Sequence, residues 1–392
     1  MPNLSIAPWP SYSQEEVDAV SAVLQSGKVN YWTGEECRAF EQEFAAFAGT
    51  THAIALANGT LALDLALKAL SIGPGDEVIV TPRTFIASVS TVVNAGATPI
   101  FADVDRDSGN ISPATIAPAL SERTKAIIPV HLAGWPCDMA GILALAEPRG
   151  IAVIEDCAQA HGARIGGQSV GSFGDIGAWS FCQDKIITTG GEGGMVTTSR
   201  EALWSTMWSF KDHGKDWAAV YERDHPPGYR WLHESFGTNW RMLEMQAVIG
   251  RIQLRRLAEM TGRREAIAAR YAAAIAPFSQ AVRLPRPGVG LTHGWYRCYA
   301  YVRPEGLKPG WSRDRIIAEV AAQGMPLMQG SCSEVYLEKA FDNTGWRPLH
   351  RLPGAAELGE TSLMFLTHPT LSDEDVGRIC SAVTRVLAQA AR

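Results

Sequence analysis

Between residues 53 and 156 the chain alternates short apolar runs with stretches of helical periodicity, and few folds accept that rhythm. Residues 53–57, 77–81, 98–104, 125–131 and 151–156 read as strands. A helix opens at Asn58-Gly59-Thr60 and runs to 70, and a second covers 84–95. A third starts at Ser112-Pro113, with proline at its first position, and Asp138 caps a fourth through 147. Strands joined by helices form βαβ units, so the rhythm predicts an α/β fold with a mostly parallel central sheet flanked by helices. Such sheets place ligands beyond the carboxyl ends of their strands. Asn58-Gly59-Thr60 and Asp156 both fall at such ends.

The flanking regions are simpler. Ser13-Gln14-Glu15-Glu16 is a capping box, followed by Val17, Val20 and Leu24 at helical spacing and a stop at Gly27. A helix over 36–48 carries Phe40, Phe44 and Phe47 on one face, a stripe read as core packing. After Asp156 the pattern shifts to short strands at 163–165, 178–182 and 194–198. Residues 211–236 are polar, aromatic and irregular, which marks a functional segment rather than a disordered one. A long helix is expected over 241–271, a link at 283–287, a strand over 296–302, and helices over 312–323 and 372–390. These divide the chain into a large domain, 1–255, with an N-terminal helical segment, and a smaller α+β domain, 256–392.

Composition excludes several classes. The net charge is −6 over 392 residues, which leaves no basic footprint for nucleic acid. No uncharged apolar run reaches the roughly 20 residues of a membrane span, and residues 1–10 lack the basic-then-apolar pattern of a signal peptide. The seven cysteines are scattered, with no C-x-x-C pair and no zinc spacing, as in reduced thiols. A cytoplasmic protein without a metal site is expected.

Two residues carry the chemistry. Lys185 lies between Ser180-Phe181-Cys182-Gln183-Asp184 and a glycine-rich tail at 190, 191, 193 and 194. Asp156 follows the apolar run 151–154. In this order they can grip the two ends of pyridoxal 5'-phosphate. The amine forms a Schiff base with the aldehyde, and the carboxylate keeps the ring nitrogen protonated. Taken singly, each has a plainer reading as a solvated lysine or a helix cap. The flanks favour the cofactor. Gln159 is placed for the ring oxygen, and Ser180, Thr188 and Thr189 offer hydroxyls to a phosphate. The helix start at Gly59 and Thr60 offers free N–H groups to the same phosphate. Phe85 is either a stacking ring or a core aromatic, and His161 either supports Asp156 or sits in the core. A nucleophilic lysine of this kind has its pKa lowered by burial or by cationic neighbours.

Further motifs run in the same order: Gly73-Pro74-Gly75-Asp76-Glu77-Val78, Thr84-Phe85-Ile86-Ala87-Ser88, Gly96-Ala97-Thr98-Pro99, Glu155-Asp156-Cys157-Ala158-Gln159-Ala160-His161-Gly162 and Gly237-Thr238-Asn239-Trp240-Arg241. With them the chain resembles the DegT/DnrJ/EryC1/StrS family of PLP-dependent sugar aminotransferases of fold type I, over residues 5–255 and more loosely beyond. The resemblance implies Lys185 as Schiff-base lysine and proton carrier, with Asp156 on the pyridine nitrogen and Gln159 on the ring oxygen. It places Gly59, Thr60 and Ser180 on the phosphate and Phe85 on the ring face. Asn239 would reach the phosphate of a neighbouring subunit, which makes a homodimer with shared sites the expected unit. The chain departs from the pattern at Arg83, where a small residue is commoner, and at Trp240, where tyrosine is usual. The family's C-terminal histidine motif has no clear match near 324–336.

The implied reaction moves the amine of L-glutamate onto a keto-sugar (4-keto-6-deoxy or 3-keto hexose) of a nucleotide sugar, through pyridoxamine 5'-phosphate. Arg83, Lys211, His213, Lys215, Arg230 and Arg241 are the cations available for the diphosphate. A cyclitol or aromatic-precursor aminotransferase remains open. A dehydratase of the same fold carries histidine where Lys185 stands, and a non-catalytic PLP-binding regulator has no need of the Asp156, Gln159, Lys185 set.

Overall fold

The computed structural model describes residues 6–392, so residues 1–5, half of the stretch inspected for a leader, lie outside it. The alternating region forms β1 (His52–Leu56), β2 (Glu77–Val80), β3 (Thr98–Phe101), β4 (Thr124–Ile128) and β5 (Ala152–Asp156). It continues through the two-residue strands β6 (Arg164–Ile165) and β7 (Gln168–Ser169) to β8 (Ile176–Ser180) and β9 (Gly194–Thr198). Seven of these form one sheet in the order β1-β9-β8-β5-β4-β2-β3. Neighbours from β3 to β8 are parallel; β9 alone runs against both its neighbours. The expected α/β class holds, with one reversed strand.

Helices cover both faces. α1 (Gln14–Ser26) and α2 (Glu36–Ala48) precede the sheet, and α3 (Gly59–Ala69), α4 (Ala87–Asn94), α5 (Pro113–Ile116) and α6 (Met139–Ala146) connect its strands. β2 reads Glu-Val-Ile-Val and is buried throughout because both faces are packed. Val78 and Val80 join the core under α3 and α4, while Ile79 points to the opposite core under α6. The phenylalanine stripe of α2 is core, as read: Phe44 packs 5.1 Å from Trp179 and 5.4 Å from Phe181.

α7 (Glu201–Lys211) follows β9, and α8 (Trp217–Tyr221) forms inside the segment expected to be irregular. Asp216 caps α8 by accepting from the Ala219 N–H at 2.7 Å. Trp217 locks it onto Trp208 and Trp204, 4.9 and 5.1 Å away. α4 starts at Ala87, later than expected, because residues 82–86 form a turn tied down by the Val335 N–H on Pro82 and the Thr84–Ser88 hydroxyl pair.

α9 (Glu244–Ile275) is 32 residues long, about 48 Å at 1.5 Å per residue. Its first half packs on α1 and α2 and its second half on the last helix, so one rod enters both cores, and position 255 lies within it. Beyond it come β10 (Val282–Arg283), β11 (Leu291–Thr292), β12 (Arg297–Val302) and β13 (Ser362–Leu366), with α10 (Arg313–Ala321), α11 (Pro353–Thr361) and α12 (Asp373–Ala390). Strands β10, β12 and β13 form a sheet, while β11 returns to pair with β6. Ile267, Tyr271, Cys298, Leu363, Ile379 and Val383 belong to this second core. All seven cysteines are free. Among the described residues, no helix is long and apolar enough to cross a membrane.

Candidate active site

β5 delivers Asp156 to the carboxyl edge of the sheet, buried. The Ser88 hydroxyl donates to its Oδ2 at 2.8 Å and the Ala158 N–H to its Oδ1 at 3.1 Å. Burial pushes the carboxyl up, against the pull of Ser88, Ala158, Lys185 and His131. Its donors are neutral, so a protonated ring nitrogen would supply the charge that this carboxylate lacks.

The preceding residue holds the strand end. Glu155 accepts from the N–H groups of Gly171, Phe173 and Gly174 and from His131 Nε2 at 3.0 Å. The Cys137 N–H donates to His131 Nδ1, so the ring proton is assigned to Nε2, facing Glu155. Cys157 lies near this pair, but both ring nitrogens are already engaged.

The phosphate end is a helix start. Asn58 caps α3 by accepting from the Leu61 N–H at 3.0 Å, which leaves the Gly59 and Thr60 N–H groups at the open end. A Cβ on Gly59 would stand 2.5 Å from the Ser180 Cβ, and one on Gly194 2.2 Å from the Asn58 carbonyl oxygen. Only glycines let the helix start press against the ends of β8 and β9. Phe85 is 68% exposed at the turn before α4, an apolar ring with a free face. The Gln159 Oε1 accepts from the Ala133 N–H at 2.8 Å, which fixes its amide.

Lys185 lies in the connection between β8 and β9. Its carbonyl accepts from Trp9 Nε1 at 3.0 Å, and its Nζ lies 3.3 Å from Asp184 Oδ1 and 5.1 Å from the Tyr296 ring centre. The Tyr296 hydroxyl donates to Asp184, and Arg297 stacks 4.2 Å from the Tyr296 ring. Burial pulls the amine pKa down, but Tyr296 and Asp184 outweigh it and leave it raised.

Several candidates stand elsewhere. Arg83 is fully buried, and its guanidinium donates to Ser333 Oγ at 2.8 Å and Ser362 Oγ at 2.9 Å across the two cores. It is a strut, closed to a substrate diphosphate. Lys211 is fully buried, 3.6 Å from Glu41 and 3.7 Å from the Tyr31 ring centre. Arg241 and Lys215 are paired with Asp212 at 2.8 and 3.2 Å. His213 and Arg230 are exposed. Thr188 and Thr189 are buried, the Thr189 hydroxyl donating to the Glu192 carbonyl and the Thr188 N–H to Gln253 of α9, while Ser180 lies against Gly59. His161 does not reach Asp156. Among the described residues both its ring nitrogens lack hydrogen-bond partners, and it packs 5.3 Å from Trp179 and 5.5 Å from Phe181. Sequence reasoning missed Tyr296, Arg297 and the Asp184 contact. Ser88 lay inside a quoted motif without a role.

The parallel sheet, the carboxylate at one strand end, the helix start at another and the lysine on a neighbouring connection together define a PLP-dependent aminotransferase of fold type I. The chain belongs to the DegT/DnrJ/EryC1/StrS aminotransferase family, which it matches over residues 10–384. An aminotransferase structure from Psychrobacter cryohalolentis is similar at 62% identity and a TM-score of 0.97, over 98% of this chain and 99% of that one. A UDP-N-acetyl-3-dehydro-alpha-D-glucosamine 3-aminotransferase from Acidithiobacillus ferrooxidans is 38% identical over 90% of this chain and 89% of its own length. A GDP-perosamine synthase from Caulobacter vibrioides is 35% identical over 99% of each chain.

Proposed function

We propose that this protein transfers the amino group of L-glutamate to a keto carbon of a hexose carried on a nucleoside diphosphate, working in the cytoplasm as a homodimer. The chemistry is supported by Asp156, buried at the end of β5, and by Lys185 on the β8–β9 connection, near enough that its charge pulls the carboxyl pKa down. The substrate class is supported by relatives whose names specify UDP- and GDP-sugars. Bound PLP supplies an electron sink for the carbon that gains or loses the amine. The protein does the rest. Gly59, Thr60 and Ser180 hold the phosphate, Phe85 covers the ring face, and Gln159 meets the ring oxygen. Asp156 keeps the ring nitrogen protonated. Lys185 Nζ moves the proton at the reacting carbon in both halves of the reaction, with Asp184 beside it. Asn239 is exposed on this subunit, with its Oδ1 near the Arg241 N–H at 3.4 Å, which leaves its amide free for the partner's phosphate.

Absorption spectroscopy and product mass test the reading. L-Glutamate alone should move the visible band of the holoenzyme to the near-ultraviolet. One of a panel of UDP-, GDP- and dTDP-linked 3-keto and 4-keto hexoses should restore it with gain of an amine. Lys185→Ala should bind cofactor and lose turnover by about 10³-fold or more. An unmoved band in wild-type enzyme would leave a PLP-binding regulator. A response to glutamate with amination only of a cyclitol ketone would replace the sugar.

A further inference from the structure

Positive charge is in excess beside Lys185. Arg297 opens β12, and Arg264 projects from α9. Asp184 serves both Lys185 and Arg297, 3.3 Å from Lys185 Nζ and 3.8 Å from Arg297 Nη2. Arg264 is fully buried. Its Nη1 reaches the Tyr296 carbonyl at 3.5 Å, and its Nε and Nη2 have no hydrogen-bond partner among the described residues. Burial, then Arg297, pulls its pKa down to about 9. The histidines facing the group add no charge. Burial lowers His161 to about 3 and His368 to about 4, assisted by Lys185 and Arg264 for the first and by Arg264 and Arg297 for the second. Of the other carboxylates, Asp375 is engaged by Arg378 and Ser372, and Asp156 faces the ring nitrogen's position. A buried guanidinium without an anion is costly, and guanidinium geometry matches a carboxylate.

A cavity of about 570 Å³ adjoins these groups, lined by Trp9, Asp184, Arg297, Pro326, Leu366 and His368 among others. Trp9 is the wall between this cavity and Arg264, whose guanidinium lies 5.2 Å from its ring centre. We propose that the cavity seats the carboxylate of the amino donor, with Arg297 as its anchor and Arg264 as the charge behind it. The proposal rests on the aminotransferase reading above and names the donor half of that site. Distance favours the donor over the diphosphate of the acceptor. In an α-amino acid the carboxylate is bonded to the carbon that Lys185 must serve, and a single carboxylate, that of Asp184, already meets both Lys185 and Arg297. In a nucleotide sugar, most of a pyranose ring separates the diphosphate from the reacting carbon.

Glutarate, a dicarboxylate without an amine, separates binding from turnover. Titrated into holoenzyme, it should perturb the cofactor band saturably. Arg297→Met should weaken its apparent Kd, and that of L-glutamate, tenfold or more with cofactor content retained, and Arg297→Lys should recover part of the loss. Asp184→Asn, which removes the carboxylate competing for Arg297, should tighten glutarate about threefold, and it tests the site even if Arg297→Met fails to fold. Unchanged glutarate affinity in Arg297→Met, or in Asp184→Asn, would overturn the assignment. So would inorganic pyrophosphate competing with glutarate more strongly than L-glutamate does. If wild-type enzyme binds glutarate but ignores glutamate, the aminotransferase reading fails and the anion site stands.

Discussion

His161 shows how a residue that looks functional can be a matter of stability. It sits between Trp179 and Phe181 with no hydrogen-bond partner among the described residues, and burial holds its pKa at about 3 against 6.5 for a free imidazole. Below about pH 6.5 the unfolded chain therefore binds a proton that the folded one refuses. Stability is full above that pH and falls by about 1.4 kcal/mol per pH unit as pH drops toward 3. His161→Leu should remove that share of the acid sensitivity, read as a smaller loss of urea-unfolding free energy between pH 7.5 and 5. The slope due to His293 and His368, also lowered by burial, should remain. That Asp156 ends a strand and Lys185 follows one was legible at this scale, because each comes after an apolar run that fixes where it emerges. Arg83 was misjudged because the partners that bury it, Ser333 and Ser362, lie about 250 residues and more along the chain. Tyr296 and Arg297 gave no local signal, since their relation to Lys185 exists only once β12 docks beside the β8–β9 connection.

At the scale of elements, the start of α3 is the tightest joint. Gly59→Ala places a methyl group 2.5 Å from the Ser180 Cβ, with the Ser180 Cα at 3.0 Å. We expect about 1–3 kcal/mol of destabilisation, as for other overpacked sites. Equilibrium dialysis should show PLP retention at least tenfold weaker, because the N–H groups proposed to hold the phosphate would be displaced. Periodicity located α1, α2, α3, α9 and α12 closely. It did not find α7, whose spaced tryptophans Trp204 and Trp208 face Trp217 of α8 and make sense only as a packed pair of helices.

At the scale of the molecule, the proposed homodimer carries its own predictions. Phe236, Trp231 and Tyr229 are strongly exposed in the segment leading to Asn239, apolar surface that the proposed dimer would cover. Asn239→Ala should leave stability within about 0.5 kcal/mol, as for an exposed position, yet weaken PLP retention. A decisive form mixes subunits. Lys185→Ala and Asn239→Ala chains refolded together should regain activity that neither has alone, because one site of each mixed dimer then has both residues. No recovery on mixing would argue for self-contained sites. A long helix was legible from the sequence, but not that α9 packs on α1 and α2 with one half and on α12 with the other, since burial along a helix depends on partners distant in the chain.

The one reversed strand has a further consequence. Because β9 turns back beside β8, the segment carrying Lys185 is moored at both ends to the same edge, with the Phe181 N–H on the Gly193 carbonyl at 2.8 Å and the Gln183 N–H on the Gly191 carbonyl at 2.9 Å. The lysine works on a short leash. On the proposed reading, in which the amine bonds the cofactor, that tether would keep the amine within striking range whenever the bond opened and make recapture a local event rather than a search.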